Sequence, residues 1–231
     1  MVLPLKFRSQ TTALANYTYT DIASGTGMQT FYGYVSKTST EQGTTDVLTY
    51  SLNQAIVFSK DIVTTWVTQD YGGKEANYEV DTTSKDFDLT QFNTPRIIEG
   101  TALIQNSWTG SRSNDTIDGK VKYILKKYDG TNETEIGSAF TPVESIDASV
   151  TPPLVALPIT IAQVQFKKGE ILRLSVEFWG KMLTGSGTGN VTFTFGTDPL
   201  DRDDAGNIIT PSTETNETTQ LIVHIPFKLD L

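Results

Sequence analysis

The sequence predicts an all-β protein, an antiparallel β-sandwich of two sheets that is jelly-roll-like. Three observations support this fold class. β-Branched and aromatic residues are frequent, short apolar runs alternate with a period near two, and turn-forming residues separate those runs without an intervening helical periodicity. An immunoglobulin-like sandwich is the second choice.

Two segments carry the cleanest alternation and define the expected core. Their inward positions are Leu172, Leu174, Val176 and Phe178 in one strand, and Leu221, Val223, Ile225 and Phe227 in the C-terminal strand. Pro226 has no amide proton to donate to a ladder, so the C-terminal strand is expected at a sheet edge or with a bulge.

Eight further strands are predicted by apolar runs that Gly, Pro, Asn, Asp or Ser residues bound. They cover residues 29–34, 54–58, 62–69, 97–108, 121–128, 133–140, 154–166 and 191–195. Gly130 and Gly169 mark two tight turns, because glycine tolerates the positive φ that such turns require. The polar stretches at 36–46, 180–190 and 198–217 are expected to be loops.

The domain organisation predicted is a single β-sandwich domain over residues 29–231, preceded by an extended N-terminal arm over residues 1–28. No composition break or fixed-period repeat divides the larger segment. The stretch from Ser9 to Gly27 is rich in Thr, Ala, Ser and Gly and poor in large apolar residues, so we expect it to pack on a neighbouring subunit.

Composition limits the partners and the chemistry. The 231 residues include 18 Lys and Arg against 27 Asp and Glu, a net charge of −9, which disfavours nucleic acid as a partner. The absence of Cys excludes disulfides, thiolate nucleophiles and iron–sulfur clusters. No apolar run approaches the roughly 20 residues of a membrane span, and the first residues do not resemble a signal peptide. We therefore expect no membrane insertion and no export by a signal peptide.

Catalytic constellations are not visible in the sequence. His224 is the only histidine, and no Gly-x-Ser-x-Gly elbow presents a nucleophile. Glu170 and Glu177 share a strand with Arg173, where an outward ion pair is the simpler interpretation than paired catalytic carboxylates. We therefore expect no enzymatic activity and no cofactor.

The densest carboxylate cluster follows the predicted strand at 191–195. A loop calcium site would use Asp198, Asp201, Asp203 and Asp204, because Ca²⁺ takes several oxygen ligands from flexible loops. The EF-hand pattern itself fails, since Ala205 and Ser212 stand where ligands should be. A solvated acidic turn that contains Arg202 is the competing and simpler interpretation.

Trp66 is the candidate for a carbohydrate ligand. It lies on a predicted strand face with two Thr residues, and a flat apolar ring can stack on a sugar face. A structural role in the core is the simpler interpretation of this residue and of Trp108 and Trp179.

A further set of segments is Leu5-Lys6-Phe7-Arg8-Ser9, the segment 21–27, Phe31-Tyr32-Gly33, the segment 166–170 and the ending 225–231. In these segments the chain resembles virion structural proteins of tailed bacterial and archaeal viruses, in particular phage and marine viral capsid-associated proteins. The resemblance implies a non-enzymatic structural role in the virion, first as a capsid decoration or minor capsid protein. It further implies partners among other virion proteins and copies of the same chain, with a trimer as the expected homo-oligomer. The alternative is a carbohydrate-binding module or a tail-fibre or adhesin component.

Overall fold

The computed structural model describes residues 26–39, 46–70, 79–80, 84–112, 116–147, 149–150, 155–184, 190–202 and 218–228. Residues 1–25, which form most of the predicted arm, lie outside the described residues. The first described strand begins at Thr26, and the division at residue 28 stays a prediction.

The described residues form fifteen β-strands and no helix. In chain order the strands are β1 (Thr26–Ser39), β2 (Asp46–Asn53), β3 (Val63–Asp70), β4 (Glu79–Val80), β5 (Lys85–Leu89), β6 (Arg96–Asn106), β7 (Trp108–Arg112), β8 (Thr116–Tyr128), β9 (Glu133–Phe140), β10 (Glu144–Ile146), β11 (Ser149–Val150), β12 (Val155–Phe166), β13 (Ile171–Thr184), β14 (Asn190–Gly196) and β15 (Leu221–Lys228). A search of the same residues finds no helix with the length and apolarity needed to cross a membrane.

These strands form two hydrogen-bonded sheets. The large sheet has eleven strands in the order β10-β8-β13-β5-β2-β1-β15-β6-β12, with β9 paired to β8 and β4 to β13. The small sheet has the order β11-β7-β14-β3. The strand pairs are antiparallel except β2 with β5, where Ser51 lies opposite Asp88 and Leu52 opposite Leu89 in parallel. The expectation of purely antiparallel sheets is therefore wrong at this pair.

The large sheet curls until its two ends meet. Strand β9 lies so close to β12 that a Cβ on Gly137 would stand 2.8 Å from Cγ2 of Ile159 and 2.9 Å from the carbonyl oxygen of Thr160. Nearby, Nζ of Lys127 in β8 donates to the carbonyl oxygen of Gln165 in β12 over 2.9 Å. Long twisted strands coil in this way, and a nearly closed barrel hides the open edges of the sheet. The all-β class is confirmed, whereas the expected two-sheet sandwich is not.

One apolar core joins the two sheets. Both predicted inward faces, from β13 and β15, belong to it and are buried. On the small sheet, Phe193 stacks on Phe178 of β13 with ring centroids 4.1 Å apart. Phe195 meets Phe87 of β5 edge to face at 5.9 Å. The small sheet is thus fixed to the large one by aromatic contacts.

Several predicted elements differ from the structure. Residues 54–58 form no strand, and the predicted strand 97–108 is divided at Ser107 into β6 and β7. Strands β2, β5 and β10 were not predicted, because their short or polar sequences show little alternation. Strand β15 lies between β1 and β6, so Pro226 is not at an edge. The register between β15 and β6 does shift beside Pro226, but the additional residues lie in β6, where residues 99–102 face residues 225–226. The C-terminal strand itself pairs with β1 in unbroken register through Pro226, so the expected bulge lies in its partner strand.

Candidate functional site

The acidic segment after β14 is the first candidate site, and the structure describes two of its four predicted calcium ligands. Asp198 is fully buried, and both of its carboxylate oxygens accept hydrogen bonds from the Arg202 side chain. The contacts are 2.8 Å from Nε and 2.9 Å from Nη2. The hydrogen bonds that the Arg202 guanidinium donates to Asp198 raise the pKa of this guanidinium above its usual value. A cation at Asp198 would have to displace this guanidinium.

Asp201 also directs its carboxylate inward, toward the residues that precede β15. Its Oδ1 accepts a hydrogen bond from the hydroxyl of Thr218 at 2.7 Å and from the amide of Thr219 at 2.8 Å. Among the residues that the structure describes, no group of three or more His, Asp or Glu side chains could hold a metal ion. Asp203 and Asp204 lie outside the described residues, so the calcium site stays a prediction.

Arg202 connects the buried carboxylate to an exposed aromatic ring. Its guanidinium carbon lies 4.3 Å from the ring centroid of Phe58, and Nη2 donates to the carbonyl oxygen of Ser59 over 2.8 Å. The hydroxyl of Ser59 accepts from the amide of Val35 at 3.0 Å and so ties the segment to β1. We call Phe58, Ser59, Asp198 and Arg202 the Phe58 corner.

The exposure of this corner is unusual for its residue types. The Phe58 side chain is 68% exposed and that of nearby Ile56 is 54% exposed, although both belong to an apolar run that predicted a strand. The corner was not predicted, because a short continuous apolar run normally indicates a buried strand. The only signal for it was the spacing of Asp198 and Arg202, four residues apart in an acidic loop.

The three Trp residues have different surroundings. The backbone of Trp66 lies in β3 opposite Phe193, while its side chain is outside the description, so a sugar-stacking role stays a prediction. Trp108 is buried and packs against Phe178 and Phe193, as the core interpretation predicts. The indole nitrogen of Trp179 donates to Glu177 over 3.0 Å.

The remaining candidate residues are engaged in local contacts. Nδ1 of His224 lies 2.9 Å from the hydroxyl oxygen of Thr30, and burial lowers the pKa of the imidazole. Glu170 forms an ion pair with Lys127 at 2.8 Å, as the ion-pair interpretation of this strand predicts. His224 is thus in contact with a threonine hydroxyl, and the negative charge of Glu170 is balanced by Lys127.

Comparison with known proteins gives structural likenesses only. Neither a protein-family model nor a curated protein sequence matches the chain. An aminopeptidase from a marine sediment Thaumarchaeota archaeon matches with a TM-score of 0.47 and 11% identity, over 87% of this chain and 37% of that one. A CocE/NonD family hydrolase from Staphylococcus aureus matches with a TM-score of 0.39 and 13% identity, over 84% and 37%. A structure of infectious bursal disease virus, Gx strain, matches with a TM-score of 0.26 and 10% identity, over 88% and 61%.

These matches correct one expectation. Hydrolases stand first among the similar structures, which contradicts the expectation that the chain is not an enzyme. The chain spans only 25% to 37% of the length of those hydrolases, and their activity is not carried over to it.

Proposed function

We propose that the chain is a structural protein of a virus particle, a capsid decoration or minor capsid protein, that binds neighbouring protein chains through the Phe58 corner. The virion assignment rests on the sequence resemblance. The observation that carries the binding role is the large exposed surface of Phe58. Aromatic side chains supply much of the binding energy at protein interfaces. Arg202, whose side chain is only 14% exposed, supports the Phe58 ring rather than facing a partner itself.

The corner is organised before any partner arrives. Arg202 holds Phe58 from one side while Asp198 and the Ser59 carbonyl hold Arg202. A side chain that is already fixed loses little conformational freedom when it binds, so more of the contact energy remains as affinity. Ile56, two residues before Phe58 in the chain, is also exposed.

Further exposed apolar residues lie at the same end of β1. Leu48, 41% exposed, pairs with Lys37 in β1, two residues beyond the Val35 that bonds to Ser59. Its neighbour Val47 is 53% exposed. Successive residues of a strand point to opposite faces of the sheet, so only one of Val47 and Leu48 can add apolar surface on the side of the Phe58 corner.

The partner we propose first is a second copy of the chain in a closed symmetric assembly, with a trimer as the expected state. Closed symmetry buries the same patch on every subunit. Phe58→Ser should therefore weaken self-association by about tenfold or more, while the thermal unfolding midpoint measured at concentrations where both chains are monomeric changes little. Val143→Ser, which replaces a residue 46% exposed between β9 and β10, is the matched control.

Light scattering and sedimentation across a concentration series measure the effect. If Phe58→Ser assembles as well as the wild type, the corner is not the contact. If the wild-type chain is a monomer throughout, the second copy is excluded as the partner. Mass spectrometry of purified particles from the source organism tests the virion role separately, and absence of the chain from particles would contradict it.

A further inference from the structure

An open cleft of about 440 Å³ lies where β1, β2 and β5 run side by side. One wall is the segment between β5 and β6, which carries Thr90, Gln91, Phe92 and Asn93. The opposite wall comes from Gln29 of β1 and from the end of β2. The volume falls within the range of about 300–1,000 Å³ that is typical of small-molecule sites.

The wall that contains Phe92 is fixed by bonds to a neighbouring turn. The amide of Phe92 donates to the carbonyl oxygen of Glu170 at 3.0 Å, and the amide of Gly169 donates to the carbonyl oxygen of Phe92 at 2.8 Å. The Phe92 ring also meets Phe166 edge to face at 5.2 Å and Phe227 at 6.0 Å. The cleft is therefore shaped in advance by the barrel rather than by a ligand.

The lining is rich in carboxamides and nearly free of charge. Of its thirteen residues, all within the described part of the chain, five are Asn or Gln, two are Thr and a single one, Arg96, is charged. A carboxamide offers both donors and acceptors, as a sugar hydroxyl does, whereas the absence of carboxylates from this lining disfavours a cationic ligand.

Three of the side-chain carboxamides in the lining already take part in hydrogen bonds, and each still has polar atoms that these bonds do not use. Nε2 of Gln54 donates to Oε1 of Gln29 over 3.0 Å, and the amide of Ala55 donates to Oδ1 of Asn53 over 3.0 Å. These bonds orient the side chains and leave the Gln54 carbonyl oxygen and the Gln29 and Asn53 amide hydrogens for a ligand. Partly exposed Leu89 and Phe92 supply apolar surface between them.

We propose that this cleft binds a neutral saccharide, whose hydroxyl groups exchange hydrogen bonds with Gln29, Gln54 and Gln91 and whose apolar ring face packs on Phe92. The combination of planar amides with an apolar surface suits a ligand that is polar at its edge and apolar on its face. The cleft is lined by none of the four residues of the Phe58 corner, so the proposal goes beyond the role in subunit contact and does not depend on it.

The test titrates the full chain with glucose, galactose, mannose, N-acetylglucosamine and their short oligosaccharides. Binding is followed by calorimetry and by the shifts of side-chain amide signals in nuclear magnetic resonance spectra. At least one neutral sugar should bind, and the double variant Gln54→Ala/Gln91→Ala should bind it about tenfold more weakly or worse. Gln163→Ala, an exposed amide in β12 outside the cleft, should bind as the wild type does.

Three outcomes would overturn the proposal. The first is that no neutral sugar of the panel binds the wild-type chain. The second is binding that Trp66→Ala abolishes and Gln54→Ala/Gln91→Ala leaves unchanged, which would place the site elsewhere. The third is a preference for glucuronic acid that is lost in Arg96→Gln, which would make the ligand an anion. None of these outcomes alters the oligomeric state that tests the Phe58 corner.

Discussion

The hydroxyl of Tyr123 donates a hydrogen bond to Oδ1 of Asn106 over 2.9 Å in the middle of the core. Nδ2 of Asn106 in turn donates to the carbonyl oxygens of Gly196 at 3.2 Å and Gln220 at 2.9 Å. The network joins β6 and β8 of the large sheet to the end of β14 and the start of β15. Burial raises the pKa of Tyr123 far above its usual value, so the phenol remains a donor.

Removal of this hydroxyl should destabilise the fold. Tyr123→Phe leaves the Asn106 carbonyl oxygen buried without its partner, which costs about 1–3 kcal/mol in free energy of unfolding. Urea unfolding followed by tryptophan fluorescence measures the change. The control is Tyr128→Phe, whose hydroxyl bonds to Gly130 in an exposed hairpin, and its effect should be smaller. Equal effects of the two variants would show that the buried hydroxyl of Tyr123 contributes no more stability than the exposed hydroxyl of Tyr128.

Sequence periodicity could not have revealed this network. Asn106 lies inside the predicted strand at residues 97–108, and its residue type does not indicate burial, because Asn is usually exposed and common in turns. Its burial depends on β8, β14 and β15 meeting at one point, which is a matter of tertiary arrangement. By contrast, the inward faces of β13 and β15 could be predicted, because alternation reports burial directly.

The core position of Leu174 gives the second prediction. This side chain is fully buried and lies opposite Leu125 of β8 and Phe87 of β5. Leu174→Ala should lower the free energy of unfolding by about 2–5 kcal/mol, through lost apolar contact and the cavity that remains. Leu183→Ala, at a position 42% exposed near the end of the same strand, should cost much less. A neutral Leu174→Ala would contradict the assigned core.

Arg173 joins three strands on the outside of the barrel and gives the third prediction. It donates to both carboxylate oxygens of Asp88 in β5, at 2.6 and 2.7 Å, and also bonds to Glu133 at the start of β9. Its guanidinium lies 4.2 Å from the ring centroid of Tyr128. We expect Arg173→Lys to lose stability by about 1 kcal/mol, because Lys cannot make the two-point contact and the site is partly screened by solvent.

The salt dependence of the free energy of unfolding distinguishes the ion pairs of Arg173 from its packing contacts. High salt should reduce the difference between wild type and Arg173→Lys, because screening weakens partly exposed ion pairs. Unfolding at low and high sodium chloride provides the measurement, and Arg173→Met reports the packing contribution without the charge. A difference that does not change with salt would show that Arg173 acts through its aliphatic stem and the Tyr128 ring.

The sequence predicted the outward ion pairing of Arg173 but not its partners. Glu170 and Glu177 on the same strand were the nearest carboxylates in sequence, yet Asp88 and Glu133 are the acceptors. Asp88 lies in β5, which pairs with β13, and Glu133 lies in β9, which pairs with β8. Both contacts therefore depend on the order of the strands in the sheet, which the sequence does not show. The Phe58 corner was missed for a related reason, since a short apolar run does not show by itself whether a third element covers it.

The last prediction concerns pH and rests on His224 in β15. Burial lowers the pKa of its imidazole below the ordinary value, and Thr30 bonds to Nδ1. In the unfolded chain the same imidazole has its ordinary pKa. As the pH falls, the imidazole of the unfolded chain is therefore protonated before that of the folded chain. The unfolded state then binds more protons than the folded state, and stability falls as the pH drops through the unfolded pKa toward the folded one.

His224→Gln should remove this part of the pH dependence, since glutamine keeps a polar side chain without a titration. The free energy of unfolding is measured by urea at pH values from 8 to 5 for both chains. Because the carboxylates contribute equally to both curves, the difference between the curves gives the contribution of His224 to the pH dependence of stability. We expect the wild type to lose more stability than His224→Gln between pH 7 and 5. Parallel curves would show that His224 has the same pKa in the folded and unfolded chains.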